Sequence, residues 1–297
     1  MTDDRELAGL DPFALLDPEA ARLGAFLSGL GQSGWKRPSR CARWTVRDVL
    51  GHLAVSEDYH RACLDGTVAA FLAGFAGRGG TDRDSVNALG VAGYADLPPE
   101  QVLARWRAAS ADNRRRFRER GDGVVDTSIG EYPCRWQAVH VAAELATHAD
   151  DIGVPVTPGE HGQRTAWRAR YSRFALAEAK PQLEIRQAGA RTAVTDGPTT
   201  VELGDDELIE AVMGRLDQAP AILPGLSFRP AGPAGRCAAV RAGRLSVGLA
   251  GGHGGAGQDD APGADRELAD GGVVMAGAGF DDCHGPVHQV PFLHVAE

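Results

Sequence analysis

The sequence is almost without lysine and has few cysteines. Its 31 basic residues include only two lysines, Lys36 and Lys180, and 40 acidic residues bring the formal net charge to -9. This charge argues against a general nucleic-acid coat, because phosphate backbones attract an excess of positive charge. The five cysteines are odd in number, widely spaced and without a CxxC pair, which argues against a disulfide framework. We therefore expect a protein of the reducing cytoplasm that has no nucleic-acid partner.

Long hydrophobic runs are also absent. The longest, residues 67–76, has about half of the roughly 20 residues that a transmembrane helix needs. The N-terminal residues contain no basic region followed by an apolar core, so they do not resemble a secretion signal. We expect no membrane partner. An apolar fraction of 43% in 297 residues is still enough to build the cores of two domains.

Apolar residues recur at helical spacing in four segments of the first half of the chain. These segments are residues 17–33, 45–65, 100–119 and 136–151. Thr45 can cap the second segment, and Asp48 can complete a capping box with it. Connections are expected at residues 77–84 and around Pro133. The pattern predicts a helical bundle over residues 12–155.

The character of the sequence changes after a cluster of prolines and glycines between residues 155 and 163. A helical pattern comes first, then short alternating stretches, then a last helix; the segments are residues 164–180, 183–186, 193–194, 200–203 and 205–216. We predict a small α+β domain over residues 163–225.

The C-terminal residues 226–297 form a tail rich in glycine and alanine, with little periodicity. Such composition is typical of disordered low-complexity sequence. A frameshifted reading of a GC-rich gene is an alternative, because GC-rich codons read out of frame again yield Gly, Ala, Arg and Pro. Cys283, His284, His288 and His294 fit no ordinary zinc-finger spacing, so we assign no metal site there.

The fourth predicted helix carries a polar stripe. His140, Glu144, His148 and Asp151 fall on one side of an otherwise apolar segment. Buried carboxylates and imidazoles need partners, and the spacing of Glu144 and His148 lets them reach one metal ion from adjacent turns. The alternative for these two is a plain (i, i+4) pair. His140 either lines the pocket, with ligation of the metal as a further possibility, or is a packed or hydrogen-bonded histidine, and Asp151 either orients a ligand imidazole or begins the helix exit.

A third metal ligand has to come from another helix. His52, on the edge of the apolar face of the second predicted helix, is the natural candidate. A single histidine in that position is also typical of a satisfied core residue. The combination of three metal-competent groups directed into one bundle core favours a metal site, because facing helices commonly build such sites.

These residues carry a resemblance to a known family. The motifs WTVRDVLGHL (residues 44–53) and ELATHADDI (residues 144–152) resemble those of the mycothiol-dependent maleylpyruvate isomerase family, which belongs to the DinB-like superfamily. The resemblance spans roughly residues 15–155 and implies a DinB-like four-helix bundle, while the following module looks like the C-terminal region often found with it. It also implies that His52, Glu144 and His148 bind the metal. Other DinB-like proteins have a histidine in place of that glutamate.

Two imidazoles and one carboxylate suit Zn²⁺ and leave a coordination position open, as in catalytic sites. The donor set leaves a net charge of about +1 on the centre, so an incoming thiolate would neutralise it, and the pKa of a bound thiol is expected to fall. The resemblance implies that mycothiol is the cosubstrate. A scarcity of lysine relative to arginine agrees with a GC-rich actinobacterial source of the kind that makes mycothiol.

The expected function is therefore a mycothiol-dependent isomerisation of maleylpyruvate-like substrates or a thiol S-transfer to another electrophile. Arg78 and Arg83 are candidates for holding a substrate carboxylate, although the sequence favours a solvated charge for each of them. Two alternatives stay open: a non-catalytic DinB-like metal-binding regulator, and a metal-dependent hydrolase that uses water as the nucleophile.

Overall fold

The structure, a computed structural model, describes residues 4–216, 220, 222 and 223. The predicted tail lies outside the described residues. The helices are α1 (Pro12–Ser28), α2 (Gln32–Trp35), α3 (Val46–Asp65), α4 (Val68–Ala76), α5 (Arg83–Ala92), α6 (Pro99–Arg120), α7 (Cys134–Asp151), α8 (Pro158–Ala179) and α9 (Asp205–Val212). The strands are β1 (Val124–Thr127), β2 (Gly130–Pro133), β3 (Glu184–Ala188), β4 (Arg191–Asp196) and β5 (Thr199–Gly204). This confirms the predicted class, mainly α with a small later sheet.

Four long helices, α1, α3, α6 and α7, form the predicted bundle. Helix α1 packs against α6 and α7, and α3 packs against α6. Their apolar faces supply fully buried side chains such as Leu23, Leu53 and Trp106. The α3 and α7 faces that carry polar residues are directed into the same interior, which places the candidate site there.

The start of α3 is held by the capping box that the sequence predicts. The Asp48 amide donates to Thr45 Oγ1 at 3.3 Å, and the Thr45 amide donates to Asp48 Oδ2 at 2.9 Å. At the other end, Gly66 ends the helix in the left-handed conformation (φ 68°), where a side chain would be strained. These ends set the register of α3 in the bundle.

The sequence predicts only a connection between α3 and α6, but the structure has two short helices there, α4 and α5. Helix α4 is apolar on every side, so its sequence has no amphipathic pattern to mark it as a helix. Helix α5 begins inside the predicted connection, where Asp82 and Ser85 form a capping box. The β1–β2 hairpin occupies the predicted loop before α7, and the Ser128 amide donates to Tyr59 Oη on α3 at 3.1 Å.

Helix α8 packs against the bundle through an ion network. Arg164 donates to Glu19 Oε1 on α1 at 2.8 Å, to Asp150 Oδ1 on α7 at 2.8 Å and to the Ala146 carbonyl at 2.7 Å. Residues 158–163, which lie in the predicted domain boundary, form the beginning of this helix. Strands β3, β4 and β5 then form an antiparallel sheet in that order.

Helix α9 follows the sheet and packs against α8. It ends at Val212 rather than at residue 216, and Gly214 adopts a positive φ of 67°. The chain turns there, and Arg215 reaches the C-terminal end of α7. None of the helices in the described part of the chain is long and apolar enough to cross a membrane.

Candidate metal centre

The structure brings the three predicted ligands together. One ligand atom each from His52, Glu144 and His148 lies within 4.8 Å of the other two. His52 Nε2 lies 3.2 Å from Glu144 Oε1, and the rings of His52 and His148 meet edge to face with centroids 4.9 Å apart. All three residues are at most 2% exposed.

The donor set fits a divalent cation. Two imidazole nitrogens and a carboxylate oxygen are ordinary Zn²⁺ ligands, and tetrahedral bonds of about 2.0–2.1 Å separate the donor atoms by roughly 3.4 Å. The distance from His52 to Glu144 is already close to this value. Among the described residues His52 Nδ1 has no hydrogen-bond partner, so the polar contact that orients the ring is the one from Nε2 to Glu144.

Burial and mutual contacts set the protonation of the first two ligands. Burial lowers the pKa of His52, and this outweighs the opposite effect of its hydrogen bond with Glu144. Burial acts to raise the pKa of Glu144, but the hydrogen bond with His52 and the charges of His60 and His148 lower it overall. A neutral imidazole and an ionised carboxylate are the forms that bind a metal ion.

Asp151 contacts His148 from behind. Its Oδ2 lies 3.0 Å from His148 Nδ1, and the carboxylate itself accepts two hydrogen bonds from Arg215, at 2.8 and 2.9 Å. Burial would raise the pKa of Asp151, but Arg215 and His148 hold it well below its usual range. Burial likewise lowers the pKa of His148, but Asp151 and the neighbouring Cys41 raise it to about 10, so a metal ion binds to this ring by displacing a proton. Because Asp151 occupies Nδ1, the other ring nitrogen of His148 is the one left to bind a metal ion.

A second group of metal-competent residues shares His148. Among the described residues, one atom each from Cys41, His148 and Asp151 also lies within 4.8 Å of the others. Arg215 Nη2 lies 3.3 Å from Cys41 Sγ and 2.9 Å from Asp151 Oδ2. Because a guanidinium already contacts two members of this group, the structure favours a cation at His52, Glu144 and His148 instead.

Cys41 and Arg215 are residues that sequence reasoning missed. None of the cysteines lies beside the predicted ligands in the sequence, and Arg215 belongs to the second predicted domain. The Arg40 amide donates to the Asp151 carbonyl at 2.9 Å, which fixes the loop before α3 against the end of α7. Long-range contacts such as this one and the Arg37 hydrogen bond to the Ile152 carbonyl bring Cys41 to His148, so no local sequence pattern indicates it.

His140 belongs to a separate buried cluster. Its Nε2 lies 2.9 Å from Tyr132 Oη, its Nδ1 lies 2.8 Å from Tyr171 Oη, and Glu178 Oε2 is 3.2 Å from Nε2. Burial raises the pKa of both tyrosines. The structure therefore places His140 as a hydrogen-bonded core residue and engages both ring nitrogens away from the donor set.

Two further residues of α3, Ser56 and His60, face Glu144. Ser56 Oγ donates to Glu144 Oε1 at 2.8 Å. His60 Nε2 lies 4.0 Å from Glu144 Oε2. Both of its ring nitrogens are buried and find no hydrogen-bond partner in the described part of the chain, and an unsatisfied group of this kind costs about 1–3 kcal/mol. Their spacing of four and eight residues from His52 is the sequence signal that could have identified them.

The two arginines considered for substrate binding lie beyond α4. Arg78 donates to the Gly74 carbonyl at 3.1 Å, and its guanidinium lies 4.7 Å from the centre of the Phe75 ring. Arg83 is the half-buried first residue of α5, and burial lowers its pKa. A substrate role for either one stays a prediction.

A comparison with known protein families finds a family model that matches the part of the chain containing these ligands. Residues 16–153 match the family model described as mycothiol maleylpyruvate isomerase N-terminal domain. The match covers most of the four-helix bundle and includes His52 on α3 and Glu144 and His148 on α7. No curated protein and no solved structure matches the chain.

Proposed function

We propose that this chain, whose residues 16–153 belong to the mycothiol maleylpyruvate isomerase N-terminal domain family, is a metal-dependent enzyme that uses mycothiol. It would catalyse the cis–trans isomerisation of maleylpyruvate-like substrates or the transfer of the thiol to another electrophile. The observation that carries the proposal is the buried group of His52, Glu144 and His148 on facing helices of the family's domain.

In this proposal His52, Glu144 and His148 hold one divalent ion, with Zn²⁺ the ion that their chemistry suits best. A bound ion of this kind supplies Lewis acidity that lowers the pKa of a thiol. The chain's own residues keep the site dry and keep the ligands oriented, since all three are buried and Asp151 contacts the rear nitrogen of His148.

The nucleophile is proposed to come from the cosubstrate. Among the described cysteines, Cys41 contacts Asp151 and Arg215, whereas burial raises the pKa of Cys63 to about 12 and of Cys134 to about 11. Thiols with such pKa values are poor nucleophiles at neutral pH. A small-molecule thiol is therefore the better source of a thiolate.

The isomerisation itself needs two bond changes. The thiolate adds to one carbon of the cis double bond, and the electron pair of that bond passes to the conjugated carbonyl as an enolate. The new single bond rotates, and the enolate expels the thiolate to restore a trans double bond. In a transferase the enolate takes up a proton instead, and the adduct is the product. The choice between these outcomes lies with the residues that hold the substrate, because both begin with the same addition.

Metal content tests the ligand assignment. The purified wild-type chain should hold one ion, and His52→Ala, Glu144→Ala and His148→Ala should each lose it. His140→Ala is the matched control, because it removes a buried histidine of the same helix that contacts Tyr132 and Tyr171 instead. Full metal content in the three ligand variants would contradict the assignment.

A panel of nucleophiles tests the reaction. Mycothiol, other low-molecular-weight thiols and water are each supplied with maleylpyruvate or a generic electrophile, with and without metal. The proposal expects a rate enhancement that requires mycothiol and metal together. Enhancement with water alone would indicate the hydrolase, and metal binding without any rate enhancement would indicate the non-catalytic regulator.

A further inference from the structure

His60 is a buried histidine near the donor set that the proposed function does not use. It lies two turns after His52 in α3 and is 1% exposed. Among the described residues neither ring nitrogen has a hydrogen-bond partner, although buried polar groups are nearly always paired and an exception calls for an explanation.

Two carboxylates lie on opposite sides of the His60 ring. Nε2 is 4.0 Å from Glu144 Oε2, and Nδ1 is 3.7 Å from Glu57 Oε2. Both distances exceed a hydrogen bond by roughly 1 Å, so a small rotation of a side chain would close either contact. His60 therefore lies between a proposed ligand and a second buried acid.

Glu57 is anchored by the neighbouring helix. Asn113 on α6 donates from Nδ2 to the Glu57 carbonyl and to Glu57 Oε2, both at 2.8 Å. Glu57 is 3% and Asn113 2% exposed. A row of buried polar side chains thus leads from α6 through His60 to Glu144.

The two oxygens of Glu144 face different groups. Oε1 accepts a hydrogen bond from Ser56 and lies beside His52 Nε2, whereas Oε2 faces His60. A carboxylate that binds a metal ion is commonly oriented by hydrogen bonds from outside the coordination sphere. His60 is the group placed to do this on the Oε2 side.

We propose that His60, supported by Glu57 and Asn113, is a positioning residue for Glu144. Its Nε2–H donates to Glu144 Oε2 when an ion is bound and so fixes the rotation of the carboxylate. This inference rests on the proposed function, because it takes Glu144 as a ligand. It adds a role for residues outside the donor set.

The test is the Kd of the full chain for Zn²⁺ alone, measured by competition with a chromophoric chelator. His60→Phe should raise the Kd by about 10- to 100-fold, the usual effect of losing such a partner. His60→Gln should raise it less, because its amide N–H replaces the donor. Gln137→Leu removes a buried amide of α7 that has no hydrogen-bond partner among the described residues, and it should keep the wild-type Kd.

A purely structural role would change the urea unfolding of the metal-free protein and leave the Kd unchanged. A wild-type Kd for a folded His60→Phe variant would therefore overturn the inference. If the His60→Phe variant does not fold, the Kd values of His60→Gln and Glu57→Gln test the inference instead. Wild-type Kd values in both of these variants would also overturn the inference.

Failure of the proposed function can be distinguished from failure of this inference. A wild-type chain that binds Zn²⁺ but does not accelerate thiol addition contradicts the catalytic role and leaves the Kd comparison valid. A wild-type chain that binds no Zn²⁺ contradicts both.

Discussion

Arg215 links the C-terminal end of the described chain to the candidate metal centre, and its removal should destabilise the protein strongly. The Arg215 side chain is 5% exposed, and the Asp151 side chain that it contacts is fully buried. Arg215→Ala would leave the Asp151 carboxylate in the protein interior without its main partner. The perturbation therefore tests whether this long-range pair is formed as described.

The expected cost follows from burial. Breaking a buried ion pair by removing one partner costs about 3–5 kcal/mol. His148 remains 3.0 Å from Asp151 as a second partner, so we expect the lower end, about 3 kcal/mol. With a urea m-value of about 2–3 kcal/mol/M, the unfolding midpoint should fall by roughly 1 M.

The assay is urea unfolding of the full chain in the presence of a chelator, so that metal binding does not add to the stability of the folded state. Arg115→Ala is the matched control, because Arg115 also contacts two carboxylates, Asp112 and Glu119, but is 57% exposed. Exposed pairs contribute little to stability because solvent screens them. The double variant Arg215→Ala/Asp151→Asn, which removes the stranded charge, should recover part of the loss.

Equal midpoints for Arg215→Ala and Arg115→Ala would refute the reasoning. The reasoning would also be refuted if the double variant were less stable than Arg215→Ala by as much as a second, independent buried defect costs. The stranded charge of Asp151 would then not be the cause of the lost stability.

Three further predictions follow from other parts of the fold. Burial raises the pKa of Cys63 to about 12, so at pH 8 the Cys63 thiol should resist iodoacetamide in the native protein and react in urea. Mass spectrometry of the labelled peptides measures the difference, and equal labelling in both states would contradict the prediction. Gly90→Ala should destabilise the protein by about 1–3 kcal/mol in urea unfolding, because a Cβ there would lie 2.9 Å from Val55 methyl carbons. Gly74 has open space around it, so Gly74→Ala should instead stabilise α4 by about 0.5–1 kcal/mol. If Gly74→Ala were the less stable of the two variants, the described packing of Gly90 against Val55 would be contradicted. Thr45→Ala should cost about 1 kcal/mol by the same measurement, through loss of the α3 cap, and an unchanged midpoint would argue against the capping box.

The long helices could be predicted from the sequence because their signals are local. The capping box at Thr45 and the helical period of apolar residues give α3 and α7 within about two residues of their observed ends, the usual scatter of such boundaries. Helix α1 begins five residues before the predicted start, at Pro12 rather than residue 17, because Asp11 caps it by accepting from the Phe13 amide. Helix α4 escaped prediction because a helix that is apolar on every side has no amphipathic period.

The sequence by itself determined which groups point into the bundle: residue type and helical period place His52 on one helix and Glu144 and His148 on another. Only the tertiary structure decided their surroundings. Helix packing set the 3.2 Å approach of His52 to Glu144, brought Arg215 to Asp151, and placed His140 between Tyr132 and Tyr171 rather than at the donor set. The physical reason is that helical period is a property of neighbouring residues, whereas these contacts join residues that are distant in the sequence and meet only when the core packs.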